Sequence, residues 1–556
     1  MVNGEDRETR SSPPRSRVSR RLHWSSEQSL MPSLTSSPGV ENQSVSQFLQ
    51  LQKHSLLKLT ALMDKYSPSS KQGWNWTVPK PPRKTKALEV KGRRVFGVPL
   101  LLSVQQTGQT LPPSILRALV HLRSKCLDQV GLFRKSGVKS RIQFLRELVE
   151  SNPDGVSYDG QSAFDVADMV KQYFRDLPEP IFTSKLCESF LHIYQYFPKD
   201  QQLLAAQAAM LLLPDENREA LMTLLLFLRD VVASVDENQM TPTNIAVCLA
   251  PSLFHLNTVN RDAARSSHRK FSLGRPDQRD LSENLAATQA LADMITEAQR
   301  LLQVRTPTTC FQIPDSSRDS INNLDLLQIP EFWPSRCQSA ATEDVLSEEE
   351  RSTQLQHITQ HLLEEAGERS PGWESHAAPE QVELSFKKVD DGCPLWMWRG
   401  SVEVEAPQKE LLHRLLREQE LWKGNLRQSS VVHSTSKDTE VYHYVLQGQG
   451  LVSRPPQEHL LLRTWQADPS SGPLYLSSVS TEHPEVQLQG IRAHVHSCLY
   501  LLEPTGATKT RLTHLCRTDT RGRSNEWHSR VSGHLLATEL LAIRDSFRGH
   551  FRETKI

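Results

Sequence analysis

The hydrophobic pattern of this chain changes period once, and that change divides it. In 47–66 and again from 95 to 304, apolar side chains recur every three or four positions, the spacing that lines up one face of a helix. From Val382 onward they alternate, as in a half-buried strand. A pattern of one period does not settle into the other structure, so the two stretches call for separate domains. Apolar residues make up only 37% of the 556 positions, which suits globular parts joined by polar segments. Residues 1–45 are rich in Ser, Arg and Pro and bury too little to offset chain entropy, so disorder is expected. Residues 305–345, with Pro307, Pro314, Pro330 and Pro334, read as a linker.

Leucine-rich helical patterns run through 111–128, 140–150, 164–176, 184–196, 199–213, 215–235, 241–249 and 281–303, which predicts an all-α bundle over 95–304. Asp215 stands where an N-cap is expected. Gln47–Tyr66 is a further helical stretch expected to dock on the bundle. Between two of these patterns lies Gly131-Leu132-Phe133-Arg134-Lys135-Ser136-Gly137, two glycines bracketing a long cation. Such a loop can bend tightly and hold Arg134 off the surface. The bland alternative is an ordinary helix–helix turn. Lys171 and Arg175 are four apart on one helical face, and that helix stops at Asp176-Leu177-Pro178. Asn244 falls in the first turn of an apolar helix expected to end before Pro251. A projecting arginine, a cationic pair and a positioned amide are the parts that stabilise a transferring phosphoryl group.

These stretches, G-L-F-R-K-S-G, K-Q-Y-F-R-D-L-P-E-P and N-I-A-V-C-L-A-P-S-L, resemble the RhoGAP domain in order and approximate spacing. The resemblance implies an activator of Rho-family GTPases. It makes Arg134 the arginine finger, assigns Lys171 and Arg175 to GTPase contact and finger support, and gives Asn244 a hydrogen bond in the same contact. The partner is then a GTP-bound Rho-family GTPase, and GTP and Mg²⁺ belong to that partner. The chain has no G-x-x-x-x-G-K-[ST] phosphate loop of its own, and no cofactor is expected.

In the alternating region the expected strands are Glu383–Lys388, Trp396–Val404, Ser430–Ser436, Glu440–Leu446, His459–Gln466, Leu474–Ser480, Ala493–Glu503 and Thr510–Arg517, with helices at Lys409–Arg417 and Val531–Arg548. An amphipathic helix at Glu348–Glu365 opens this domain, placed at 346–552. Leu460–Trp465, Tyr500–Pro504 and Thr510–Gly522 resemble the START lipid-binding domain, which implies an α+β helix-grip fold with an interior that holds a lipid ligand or serves in regulation. The pairing resembles the Deleted in Liver Cancer group of RhoGAP–START proteins, here without room ahead of the bundle for the group's SAM domain and serine-rich region. That makes focal-adhesion targeting a weaker expectation than a cytoplasmic protein peripheral at membranes.

Residues 46–94 join the docking helix to a polybasic stretch. Lys80, Arg83, Lys84, Lys86, Lys91, Arg93 and Arg94, with Glu89 the lone acid, suit anionic membrane lipids or a soluble basic linker. Ser272, three after Arg269, is a candidate phosphorylation site in the basic segment Asn257–Asp280. The net charge of +1 argues against nucleic acid as partner. Eight scattered cysteines without C-x-x-C spacing read as reduced thiols. His494, His496 and His514 read as surface or core histidines, and no metal site is expected. The competing functional readings are a lipid-transfer or lipid-sensing protein that uses a GAP-like domain for localisation, and a non-catalytic GTPase scaffold.

Overall fold

The structure is a computed structural model that describes residues 39–67, 94–256, 278–301, 348–367, 370–378, 381–447 and 455–548. Ser272 and all of the polybasic cations except Arg94 lie outside the described residues. The helical and sheet parts belong to one compact unit that begins at Pro38.

The helical part comprises α1 (Val45–Tyr66), α2 (Leu100–Thr107), α3 (Pro113–Lys125), α4 (Lys139–Ser151), α5 (Ala163–Asp176), α6 (Thr183–Tyr196), α7 (Lys199–Leu212), α8 (Asp215–Ala233), the short α9 (Val235–Asn238), α10 (Pro242–Leu253) and α11 (Gln278–Thr296). One continuous core, from Leu59 and Met63 of α1 to Leu301, runs through all the long helices. Three details depart from the sequence reading. The helical-period reading did not pick out α2, which is too short to show a stripe. Asp215 is the first helical residue behind an N-cap Pro214, not the cap itself. Helix α10 continues through Pro251 to Leu253. A proline in a last turn removes only one hydrogen bond. Here Leu253 is buried, and the following Phe254 stacks on Phe182 with ring centroids 4.2 Å apart, which holds the chain in its helical course.

The sheet part opens with α12 (Glu348–Ala366). It continues through β1 (Glu374–His376), β2 (Glu383–Lys388), β3 (Trp396–Val404), α13 (Gln408–Arg417), β4 (Leu426–Ser436), β5 (Thr439–Leu446), β6 (Gln457–Gln466), β7 (Leu474–Ser480), β8 (Ile491–Arg492), β9 (His494–Gly506) and β10 (Lys509–Asp519), and ends in α14 (Asn525–Arg548). The ten strands form one sheet in the order β1-β2-β3-β10-β9-β7-β6-β5-β4, antiparallel throughout except that β8 runs parallel to β6. Side chains alternate between its faces, as the strand period requires. Leu499, Leu501 and Leu515 pack with Leu362 of α12 on one face. Trp398, Val402, Leu502 and Leu512 pack with Leu536, Leu540 and Ile543 of α14 on the other. The approach of α14 to β3 is too close for larger residues. A Cβ on Gly400 would stand 2.6 Å from Leu540 Cδ1, and one on Gly533 would stand 2.3 Å from Trp398 Cζ3.

Residues 39–45, which composition groups with the tail, are ordered. Val40 is buried in a short turn, and Ser44 and Gln47 form a reciprocal capping box that starts α1. This segment also reaches the sheet domain. The Val45 amide donates to Asp519 Oδ2 at 2.9 Å, and the Gly522 amide donates to the Gln43 carbonyl at 2.8 Å.

Candidate functional site

The loop between α3 and α4 is built as a clamp around one exposed side chain. Gly131 adopts φ +80°, and its amide donates to the Asn238 carbonyl at 2.8 Å. Its own carbonyl accepts from the amides of Arg134 and Lys135, each at 2.9 Å, which closes the turn. Phe133 takes the left-handed φ of 67°, a strain that a bulky residue tolerates only where packing demands it. Its ring is fully buried, edge-on to Phe227 of α8 at 6.0 Å. Pinning Phe133 inward leaves Arg134 on the outside, where it is exposed.

The second glycine serves a different purpose. Gly137 has no positive φ, but a Cβ there would lie 2.5 Å from Asp165 Oδ1 and 2.8 Å from Asp165 Cα. That proximity lets α5 hold the loop by its backbone. The Gly137 amide donates to Asp168 Oδ2 at 2.8 Å, and the Val138 amide donates to Asp165 Oδ1 at 2.7 Å. Asp165 is fully buried and also accepts from Arg141 Nε.

Lys171 completes the clamp. Its ammonium donates to the Phe133 carbonyl at 2.9 Å and pairs with Asp168 Oδ1 at 2.5 Å. The carbonyl it grips belongs to the peptide that leads into Arg134, so Lys171 orients the finger candidate directly. Arg175, one turn on and exposed, donates to the buried Ser252 hydroxyl of α10 at 3.0 Å. Asn244 is half-buried in the first turn of α10. Its amide nitrogen Nδ2 donates to the Gln239 carbonyl at 3.3 Å, and its backbone N–H donates to the Thr241 cap at 3.2 Å. Cys248, one turn further along α10, ties these groups together. Burial pushes its thiol up, while the charges of Lys171 and Arg134 pull it down. Arg134 and Lys171 thus lie near this turn of α10, which also carries the 58% exposed Val247.

Pattern reasoning missed three residues that hold this arrangement. Asp165 and Asp168 belong to the same helix as the cationic pair, and the run Asp165, Asp168, Lys171 at steps of three was the available signal. Asn238 gave none. It is fully buried, donates to the carbonyls of Leu127 and Val231 at 2.8 Å each, and accepts from the Met240 amide at 2.8 Å.

A second polar assembly joins the two domains. Asp215 of α8 is buried, ion-paired with Arg218, and accepts from both the amide and the hydroxyl of Ser524 in the sheet domain. Glu219 pairs with Arg523 at 3.1 Å, and Glu216 pairs with Arg530 at 2.9 Å. Val104 of α2 packs on Trp527 and Val531 of α14. Burial alone would raise Asp215, but Arg218, Ser524 and Arg523 outweigh it and hold the carboxyl below its ordinary value.

The three histidines of the sheet domain divide. His494 and His496 line a cavity of about 330 Å³ with Cys393, Asp519 and Arg521, beside the start of α1. His514 is buried against Tyr500, with ring centroids 3.9 Å apart. Among the described residues, no group of His, Cys, Asp and Glu is placed to hold a metal ion, and no helix is long and apolar enough to cross a membrane.

A RhoGAP domain is matched over residues 112–258 and a START domain over residues 353–554. The chain is thus a RhoGAP–START protein, with the helical bundle and the helix-covered sheet as its two domains. It is 52% identical over 536 residues to StAR-related lipid transfer protein 13 of Mus musculus, covering 96% of this chain and 47% of that protein. It is 50% identical over 553 residues to Rho GTPase-activating protein 7 of Bos taurus, again covering 96% and 47%. The chain spans about half the length of the curated relatives it matches. The solved lipid transfer and protein localization domain of human StarD13 (DLC2) is 45% identical and covers 34% of this chain and 96% of that one, with a TM-score of 0.31.

Proposed function

We propose that this chain accelerates GTP hydrolysis by a Rho-family GTPase, lending Arg134 in trans to the partner's reaction centre. The observation that carries the reading is the clamped loop: Arg134 is exposed while the backbone on both sides of it is held by Lys171, Asp168 and Asp165. Preorganised charge costs no reorganisation as the bond to the leaving phosphate oxygen breaks, and that is the source of its catalytic effect. Lys171 acts mainly by positioning the finger. Arg175 and Asn244, on the same side, are left to meet the GTPase. The GTP and Mg²⁺ are the partner's, so the chain needs no nucleotide site. The bland reading of the loop as an ordinary turn does not account for a buried left-handed phenylalanine beside an exposed arginine.

A finger supplied in trans is worth roughly 10³–10⁵ in rate. Arg134→Ala should remove most of the stimulation in a single-turnover GTP hydrolysis assay and leave the melting temperature unchanged, because the side chain is exposed. Stimulation near the unsubstituted level would end the assignment. A panel of Rho-family GTPases assayed with the full chain identifies the preferred one.

The sheet domain supports lipid binding alongside this activity. The support for this reading is the match of residues 353–554 to a START domain. Recruitment to membranes through Arg94 and the basic residues before it would bring the activator to a membrane-anchored substrate.

A further inference from the structure

Helix α8 touches the START domain at one end and the finger loop at the other. In its first two turns Glu216 pairs with Arg530 at 2.9 Å and Glu219 with Arg523 at 3.1 Å, while Asp215 accepts from Ser524. The Arg523 guanidinium also lies 3.8 Å over the ring of Trp527, which packs with Val104 of α2. In the last two turns of α8, Phe227 meets the ring of Phe133, and the Val231 carbonyl accepts from Asn238 Nδ2. Asn238 in turn takes the Gly131 amide on its own carbonyl. At 1.5 Å per residue, the 19 residues of α8 make a rod of about 28 Å. Leu221, Leu224, Leu225 and Leu228 bury it along the way.

The loop at the far end has two conformations open to it. Phe133 holds φ at 67°, which a bulky residue keeps only where its surroundings over-determine it. Two contacts do so. Lys171 of α5 grips the Phe133 carbonyl, and Phe227 of α8 seats the ring. The second contact is the one that continues to the START domain. Packed helices shift between discrete arrangements and do not deform gradually, so a slide or rotation of the first turns of α8 reaches Phe227. With its ring unseated, Phe133 relaxes to negative φ, and the peptide that carries Arg134 turns with it.

We propose that Arg523 and Arg530 are positioning residues for the arginine finger: by fixing the first turns of α8, they hold Phe133 in its left-handed state and Arg134 in its presented one. The proposal rests on the reading of Arg134 as a finger lent to a GTPase. The experiment compares the full chain with Arg523→Gln/Arg530→Gln and with Arg523→Lys/Arg530→Lys. Single-turnover GTP hydrolysis by the Rho-family GTPase that the panel selects is measured across a titration of each chain, and hydrogen exchange is followed at the loop amides. In the glutamine pair the rate at saturation should fall roughly 3- to 10-fold, with the half-saturating concentration moving less than about twofold. Exchange should quicken at Gly131, Arg134 and Lys135, whose bonds form the turn, and not at Gly137 and Val138, which α5 holds. The lysine pair, which keeps both charges, should restore both readouts. A junction with a purely structural role would lower the melting temperature and leave the saturating rate and the loop exchange untouched. That result, or a change confined to the half-saturating concentration, overturns the proposal. If the double variant melts below the assay temperature, Arg523→Gln alone carries the same test. A parent chain that stimulates no GTPase overturns the finger reading instead, and the exchange data still decide whether α8 couples the junction to the loop.

Discussion

Replacing Asp215 with alanine should weaken both domains at once. The carboxylate is 1% exposed, and its removal leaves Arg218, itself 2% exposed, with only the Leu213 carbonyl at 3.2 Å and the face of Phe48 at 4.7 Å. The amide and hydroxyl of Ser524 lose their acceptor in the same step. Breaking a buried pair by deleting one partner costs about 3–5 kcal/mol, because the surviving charge stays desolvated. At about 2–4 °C per kcal/mol for domains of this size, melting should fall by on the order of 10 °C. Differential scanning calorimetry of the full chain reads the shift, and hydrogen exchange assigns it. Amides of α8 and of the first turns of α14 should lose protection together. A loss below about 1 kcal/mol, or one confined to α8, would refute the idea that this node couples the domains. The pH dependence has a definite sign. A carboxyl depressed in the folded state contributes its full stability above its unfolded pKa and loses it as pH falls through the folded one. The difference between the parent and Asp215→Ala should therefore hold at neutral pH and shrink only in acid, below the ordinary aspartate value of 3.8.

Lys171→Met should cut GTPase stimulation by roughly 10- to 100-fold, the worth of a charged hydrogen bond to the Phe133 carbonyl, while Arg134 itself remains present; unchanged stimulation would show that the clamp is ornamental. Gly137→Ala must displace the loop, since the new Cβ meets the α5 backbone at 2.8 Å. It should cost about 1–3 kcal/mol and speed exchange of the Val138 amide, and a variant with parental exchange there would contradict the close-approach role.

Much of the candidate site was readable in advance because its parts are local. Arg134 sits between glycines, Lys171 and Arg175 share a helical turn, and Asn244 follows a Thr-Pro helix start, so each motif announces itself within a few residues. What joins them is not local. Asp165 holds the loop across 27 residues and Arg175 reaches Ser252 across 77, and no periodicity encodes such pairs. The roles of the two glycines also separated only in three dimensions, one needed for its dihedral and the other for the absence of a side chain.

On its own, the sequence determined the helical bundle, the alternating strands with boundaries mostly within a few residues, and the order of the two domains, because periodicity and proline placement act over short distances. The tertiary structure decided the rest. It brought α8 of one domain against the loop before α14 of the other and buried Asp215 between them. These are properties of surfaces meeting across hundreds of residues. Their energies come from desolvation and complementary geometry, which exist only once the chain has closed on itself.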